Sequence, residues 1–221
     1  MKKTLLFSIS LIFCTMIFAQ QTTSFGVRAG ASSTGMRGDA ISSFKNLLDF
    51  SNGMINPTNR TGFFAGGYVN IPITEQFLIE PAIYYSQKGY VLNGSFNVKG
   101  MSFLGANAKA RLNTQYIDLP VVIKTNFNGF QLFAGPQISY LLNADLRATA
   151  GVFGINLLNT KIDASPQFNR WDAALTGGIG YEFANGFNIN AAYDYGFSRV
   201  DASRTMNSYN HAIKVGLGMK F

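Results

Sequence analysis

Between Phe25 and Phe221 the chain alternates with a period of two, and one phase of that alternation carries no charge. Eight windows show it, at roughly 24–32, 62–73, 77–87, 115–127, 130–142, 171–183, 187–197 and 209–221. Every second residue is apolar or aromatic, as in Phe130-Leu132-Ala134-Pro136-Ile138-Tyr140 or Ile213-Val215-Leu217-Met219-Phe221, with His211 as an exception in the last window. No Asp, Glu, Lys or Arg falls in this phase. The opposite phase holds Arg28, Glu80, Asp118, Lys124, Asp172, Glu182, Asp194, Lys214 and Lys220. Side chains alternate between the faces of a strand, so the pattern predicts an all-β chain with one apolar and one polar face. A strand tilted across a bilayer needs about 9–11 residues, close to the length of each window.

The connections alternate too. Thr74-Glu75-Gln76, Asn128-Gly129 and Ala184-Asn185-Gly186 are short, whereas about 33–61, 88–114, 143–170 and 198–208 are long. Asn-Gly is the favoured two-residue hairpin turn, because both central positions take positive φ. The residues flanking each short turn, Ile73/Phe77, Phe127/Phe130 and Phe183/Phe187, should share one face, and all six are in the apolar phase. The expected architecture is an eight-stranded antiparallel up-and-down transmembrane β-barrel with short periplasmic turns and long extracellular loops. An even strand number puts both termini on the periplasmic side.

A soluble sandwich would give the same alternation with its apolar face inward. The aromatics separate the two cases. Phe25, Phe77, Phe127, Phe130, Phe183, Phe187 and Phe221 lie at the short-turn end, and Tyr85, Tyr140, Trp171, Tyr195 and Tyr209 toward the long-loop end. Two aromatic girdles around an aliphatic band suit the two interfaces of a bilayer, with the apolar phase facing lipid.

The first residues read as an export signal. Lys2 and Lys3 precede the apolar "TLLFSISLIFCTMIFA", and Ala19 is a small residue at a plausible cleavage point, which predicts a signal peptide at 1–19 and a barrel domain at 20–221. The single cysteine, Cys14, falls inside the signal, so the exported chain has no thiol for a disulfide or a metal. Net charge drops from +7 to +5 when Lys2 and Lys3 leave. No basic run suggests nucleic-acid binding. The expected surroundings are the outer-membrane lipid of a Gram-negative bacterium and, during biogenesis, the outer-membrane assembly machinery.

The nine inward charges are the candidate functional set. They could line a path for ions or small solutes, but an eight-stranded barrel is just wide enough to be filled by its own side chains. Four cations against five anions favours mutual pairing, since an unpaired buried charge costs several kcal/mol. Inward glycines, among them Gly26, Gly178 and Gly216, are expected to make room for Phe64, Tyr68 and Phe133. His211 near the outer rim, with Ser198 and Ser208, is weighed as a lipid-modifying pair and read instead as a rim histidine. Pro81, Pro120 and Pro136 fall within strands, where each removes an N–H from the ladder. They predict bulges, with a lateral seam as the alternative. Segment 146–164 still alternates and could extend the fifth and sixth strands, and 41–50 could form a short amphipathic helix. No catalytic, cofactor or metal motif is present.

"FGVRAG" (25–30), "FLIEPAIYYSQKG" (77–89), "YIDLPVVIK" (116–124), "FQLFAGPQISYLL" (130–142), "GIGYEF" (178–183) and "GLGMKF" (216–221) together resemble the PorT-like family of small outer-membrane β-barrel proteins. The resemblance implies an eight-stranded barrel and an association with protein secretion, and carries over no functional residue. The expected role is non-enzymatic, structural or interactive, in secretion or envelope assembly, with a protein partner at the extracellular loops. A narrow channel is the alternative, followed by a lipid-modifying enzyme.

Overall fold

Asn128 and Gly129 take φ of 51° and 90°, the two positive values that the Asn-Gly turn was expected to supply. The other short turns close on the predicted pairs. Phe127 stands opposite Phe130, Ile73 donates its N–H to the carbonyl of Phe77 at 2.9 Å, and Phe183 does the same to Phe187 at 2.8 Å. These turns fix the register, and a one-residue slip would turn every apolar side chain inward.

The computed structural model describes residues 22–38, 55–98, 101–152, 155–202 and 207–221. The signal peptide expected at 1–19 and the helix expected at 41–50 lie outside them. The strands are β1 (Ser24–Gly38), β2 (Ile55–Pro72), β3 (Phe77–Val98), β4 (Met101–Phe127), β5 (Phe130–Val152), β6 (Ile155–Asp163), β7 (Trp171–Glu182), β8 (Phe187–Gly196) and β9 (Ser208–Lys220). Hydrogen bonding runs β4-β3-β2-β1-β9-β8-β7-β5, and β4 pairs with β5 to close an eight-stranded antiparallel barrel. Closure leaves no open edge within the barrel, which is what a spanning sheet requires.

The apolar phase faces outward. Val27, Ile123, Ile179 and Leu217 are each more than half exposed, while Arg28, Lys124 and Lys214 in the opposite phase are buried. At the loop end Tyr140 packs edge-on to Trp171 with ring centroids 4.9 Å apart. At the short-turn end Phe183 meets Phe187 at 5.8 Å.

Two of the long connections are largely strand, one of them in part as the alternation at 146–164 suggested. The stretch 88–114 continues β3 and β4 as a paired ribbon, from Lys88 opposite Thr114 to Val98 opposite Met101. The polar run Asn93, Gly94, Ser95 and Asn97 hides this in the sequence, but backbone ladders do not depend on side-chain polarity. In the next connection β5 runs on to Val152 and β6 folds back on it, with Asp163 opposite Asp145. The sixth barrel strand, β7, is not extended, because a 3-10 turn at Ser165–Gln167 separates it from β6.

The prolines do not make bulges. Register is the same on both sides of Pro81 (Pro81↔Val121, then Tyr84↔Asp118) and of Pro136 (Pro120↔Gln137, then Ile123↔Ala134). What they cause is local gaps in successive ladders of β2 through β5. The register shifts lie elsewhere, at Asn59/Phe64, Asn97/Val98, Gln115/Tyr116 and Ala150/Gly151.

Candidate functional site: a filled barrel interior

The nine predicted charges fall into layers along the strands. Nearest the short turns, Lys220 pairs with Glu182, which also accepts a hydrogen bond from Gln131 Nε2 at 3.1 Å. This pair is at the mouth and partly exposed. Next, Glu80 bridges two cations: Arg28 Nη1 donates to its Oε1 at 2.7 Å, and Lys124 holds its Oε2. The Arg28 guanidinium also donates to Tyr84 Oη at 2.8 Å and lies 4.3 Å from the centroid of the Tyr68 ring.

Above that, Asp118, with no solvent exposure, sits between Lys88 Nζ at 2.7 Å and Lys214 Nζ at 3.0 Å. Lys214 reaches on to Asp194 at 2.6 Å. Asp172 forms the next layer, with no cation against it among the described residues: it accepts from Ser198 Oγ at 2.5 Å and from Asn210 Nδ2 at 2.7 Å. Lys88 was missed because the strand was expected to stop at Gln87. Its phase was readable, since Glu80, Tyr84, Ser86 and Lys88 follow at even spacing. With it, the lumen holds five cations and five anions. Apart from the Lys220–Glu182 pair at the mouth, these ions are buried, where an unpaired charge would be costly.

Large and small residues interlock between these layers. A Cβ on Gly216 would stand 2.8 Å from Phe64 Cζ, and one on Gly178 would stand 2.6 Å from Phe133 Cζ. A cavity of about 40 Å³ remains among Arg28, Tyr84, Pro120, Asn190 and Lys214. That is room for about one water molecule, and Asn190 Nδ2, buried without a hydrogen-bond partner among the described residues, lines it as a donor.

The loop end of the lumen is apolar, which the alternation did not predict. Met36, Leu112, Tyr116, Leu141, Ala144, Ala164 and Val200 form one buried cluster, with Tyr90, Leu146 and Phe168 against it. The signal was partly present, since Met36 continues the inward phase of Arg28, and Leu112 that of Asp118. For β5 it was hidden. Tyr116 pairs with Leu141 but Gln115 with Asn143, so Leu142 is an extra residue and the inward phase switches from odd to even. Two connecting segments lie across this cluster. Asn169 N–H donates to Val200 O at 2.9 Å, Ala202 N–H to Gln167 O at 3.0 Å, and Asn169 Nδ2 to Arg199 O at 2.7 Å. Asp163 Oδ1 accepts the Ser165 N–H at 2.9 Å, and hydrogen bonding from the side chain and backbone of Ser165 holds its carboxyl below the usual carboxylate range.

Ser198 does not pair with His211: its Oγ–H donates to Asp172 Oδ1, while His211 stands in the ladder between Gly35 and Tyr195.

Residues 18–202 match the family model described as the outer membrane protein beta-barrel domain. The chain belongs to this family. It is an outer-membrane β-barrel protein, and its outward apolar band faces lipid. Among solved structures it is similar to Neisserial surface protein A, at 13% identity over 91% of this chain and 100% of that one, with a TM-score of 0.48. It is also similar to Ail, the attachment invasion locus protein of Yersinia pestis, at 14% identity over 91% and 100%, TM-score 0.46. A third is the outer membrane protein OprG from Pseudomonas aeruginosa, at 14% identity over 91% and 97%, TM-score 0.38. No curated protein matches the sequence.

Proposed function

We propose that this barrel is a non-enzymatic structural or interaction protein, held with both termini in the periplasm after removal of residues 1–19. The observation that carries the reading is the filled lumen: layers of paired charge lie beneath an apolar cluster that closes the loop end. Such an interior opposes conduction, because a passing ion would have to break buried pairs and then enter a hydrocarbon layer. Ser198 is committed to Asp172, which disfavours a serine hydrolase at the rim. The ribbons of β3, β4, β5 and β6 then project outside the cell and offer a surface to a protein partner. The resemblance to the PorT-like family supports a place in a secretion or envelope assembly. Planar-bilayer recording tests the reading. The filled lumen predicts no stable conductance steps, and reproducible steps abolished by a bulky substitution in the lumen would favour the channel instead.

A further inference from the structure

The lumen is neutral, so the surplus charge lies elsewhere. The chain has 18 Lys and Arg and 11 Asp and Glu. Lys2 and Lys3 lie in the predicted signal, and five cations and five anions in the lumen cancel. Every other basic residue falls, by chain position, in the segments at the loop end, where the basic residues outnumber Asp39, Asp49, Asp145, Asp163 and Asp201, whereas the short turns carry only Glu75. The excess of positive charge is therefore concentrated at one end of the barrel.

On the side formed by β7, β8, β9 and β1 the strands stop at the aromatic girdle, and arginines are interleaved with its rings. Arg37 stacks 3.6 Å from the Tyr195 ring centroid and 5.2 Å from that of Tyr209. It donates to Tyr195 Oη at 2.8 Å and to the Gly196 carbonyl. Arg170 is anchored through Nη1 to the carbonyls of Leu141 and Leu142, each at 3.3 Å. Arg170 and Arg199 flank Trp171 and Ser198 around an open cleft of about 630 Å³. Both arginines and Trp171 are exposed. Guanidinium groups held in place beside rings that prefer the interface, as those of Arg37 and Arg170 are, suit phosphate recognition.

We infer that this rim binds the phosphate groups of the glycolipid in the outer leaflet, with Arg37, Arg170 and Arg199 as the anion contacts and Trp171 beside them. The inference rests on the loop end facing outside the cell. It goes beyond general membrane attraction, because it names one side of the barrel and a phosphorylated headgroup.

Trp171 is the single tryptophan of the chain and reports on the cleft directly. The full exported chain, refolded in zwitterionic micelles, is titrated with a bisphosphorylated glucosamine-disaccharide lipid while Trp171 emission is followed. The inference predicts a saturable change that is lost with the dephosphorylated lipid. The R170Q/R199Q variant should bind about 25-fold more weakly, at about fivefold per basic residue near an anionic surface. R37Q is the second variant, and a retained mobility shift on heating shows that each has folded. Equal titrations with phosphorylated and dephosphorylated lipid, or with wild type and R170Q/R199Q, would overturn the inference. So would equal affinity for phosphatidylglycerol, since that would be surface charge alone. Orientation is read separately, by protease shaving of intact cells: cleavage in the ribbons places the loop end outside. A loop end protected in cells, with binding intact in micelles, would overturn the orientation and not the anion site.

Discussion

Asp118 is the carboxylate on which the lumen's charge balance depends most. It has no solvent exposure and holds two ammonium groups, Lys88 at 2.7 Å and Lys214 at 3.0 Å. Asp118→Ala would affect the two unequally. Lys214 keeps Asp194 at 2.6 Å, whereas Lys88 keeps only neutral partners, Ser139 Oγ at 3.2 Å and the Tyr116 ring at 4.6 Å. The main penalty is thus one buried ammonium without a counterion, and breaking a buried pair in this way costs about 3–5 kcal/mol. The assay is guanidinium unfolding of the barrel refolded into lipid vesicles, followed by the mobility difference between boiled and unboiled samples. With a slope of about 4 kcal/mol per molar, the midpoint should fall by about 1 M. A second variant isolates the cause. In Asp118→Ala/Lys88→Met the orphaned ammonium is gone, and most of the loss should be recovered, a coupling characteristic of residues in direct contact. Two results would refute the reasoning: a single variant as stable as wild type, or a double variant whose losses simply add.

Three further outcomes follow from the same geometry. Gly216→Val should lower stability by about 1–3 kcal/mol through overpacking against Phe64, and Phe64→Leu in the same chain should restore part of it, measured by the same unfolding midpoint. Hydrogen–deuterium exchange should show faster exchange at Val121, Val122 and Gly135, beside the prolines, than at Ile179 or Leu217 in the uninterrupted ladders; uniform protection would remove the gaps as a weakness of the wall. The third concerns pH. Asp163 has its carboxyl lowered by hydrogen bonds from Ser165, so its contribution to the cover over the loop end is present above the ordinary carboxylate range and is lost as pH falls through the lowered value. Protease nicking between Ala164 and Arg170 should therefore rise in acid, and Asp163→Asn should show the raised rate already at neutral pH.

The barrel itself was legible because its physical constraint is simple. A bilayer tolerates no charge on the outward phase, and short turns fix which residues share a face, so Phe127 and Phe130 or Phe183 and Phe187 give away the register. The β3–β4 ribbon was not legible, because above the membrane that constraint ends and Asn93 to Asn97 can pair while reading as a loop, whereas the alternation at 146–164 did announce the extension of β5. Lys88 was lost with the ribbon. The apolar closure was hidden for a different reason: the extra residue at Leu142 reverses the phase of β5, and Val200 comes from a connection that carries no alternation. The prolines were misread because a missing N–H need not shift a register; here the ladder is interrupted and resumes in step.

The claim that supports everything else is that the apolar phase faces lipid and the polar phase faces a filled lumen. Residues 20–221 contain no cysteine, so single cysteines can be placed along the barrel freely. Val215→Cys and Leu217→Cys test the outward phase of β9, and Ser86→Cys and Thr176→Cys test the inward phase at small buried hydroxyls. Each is labelled with an environment-sensitive fluorophore in the folded barrel in vesicles and challenged with a quencher carried on lipid acyl chains. The account predicts strong quenching at positions 215 and 217, and slow labelling with weak quenching at 86 and 176. The reverse pattern would contradict it and turn the barrel inside out, with an apolar core and a charged surface in water.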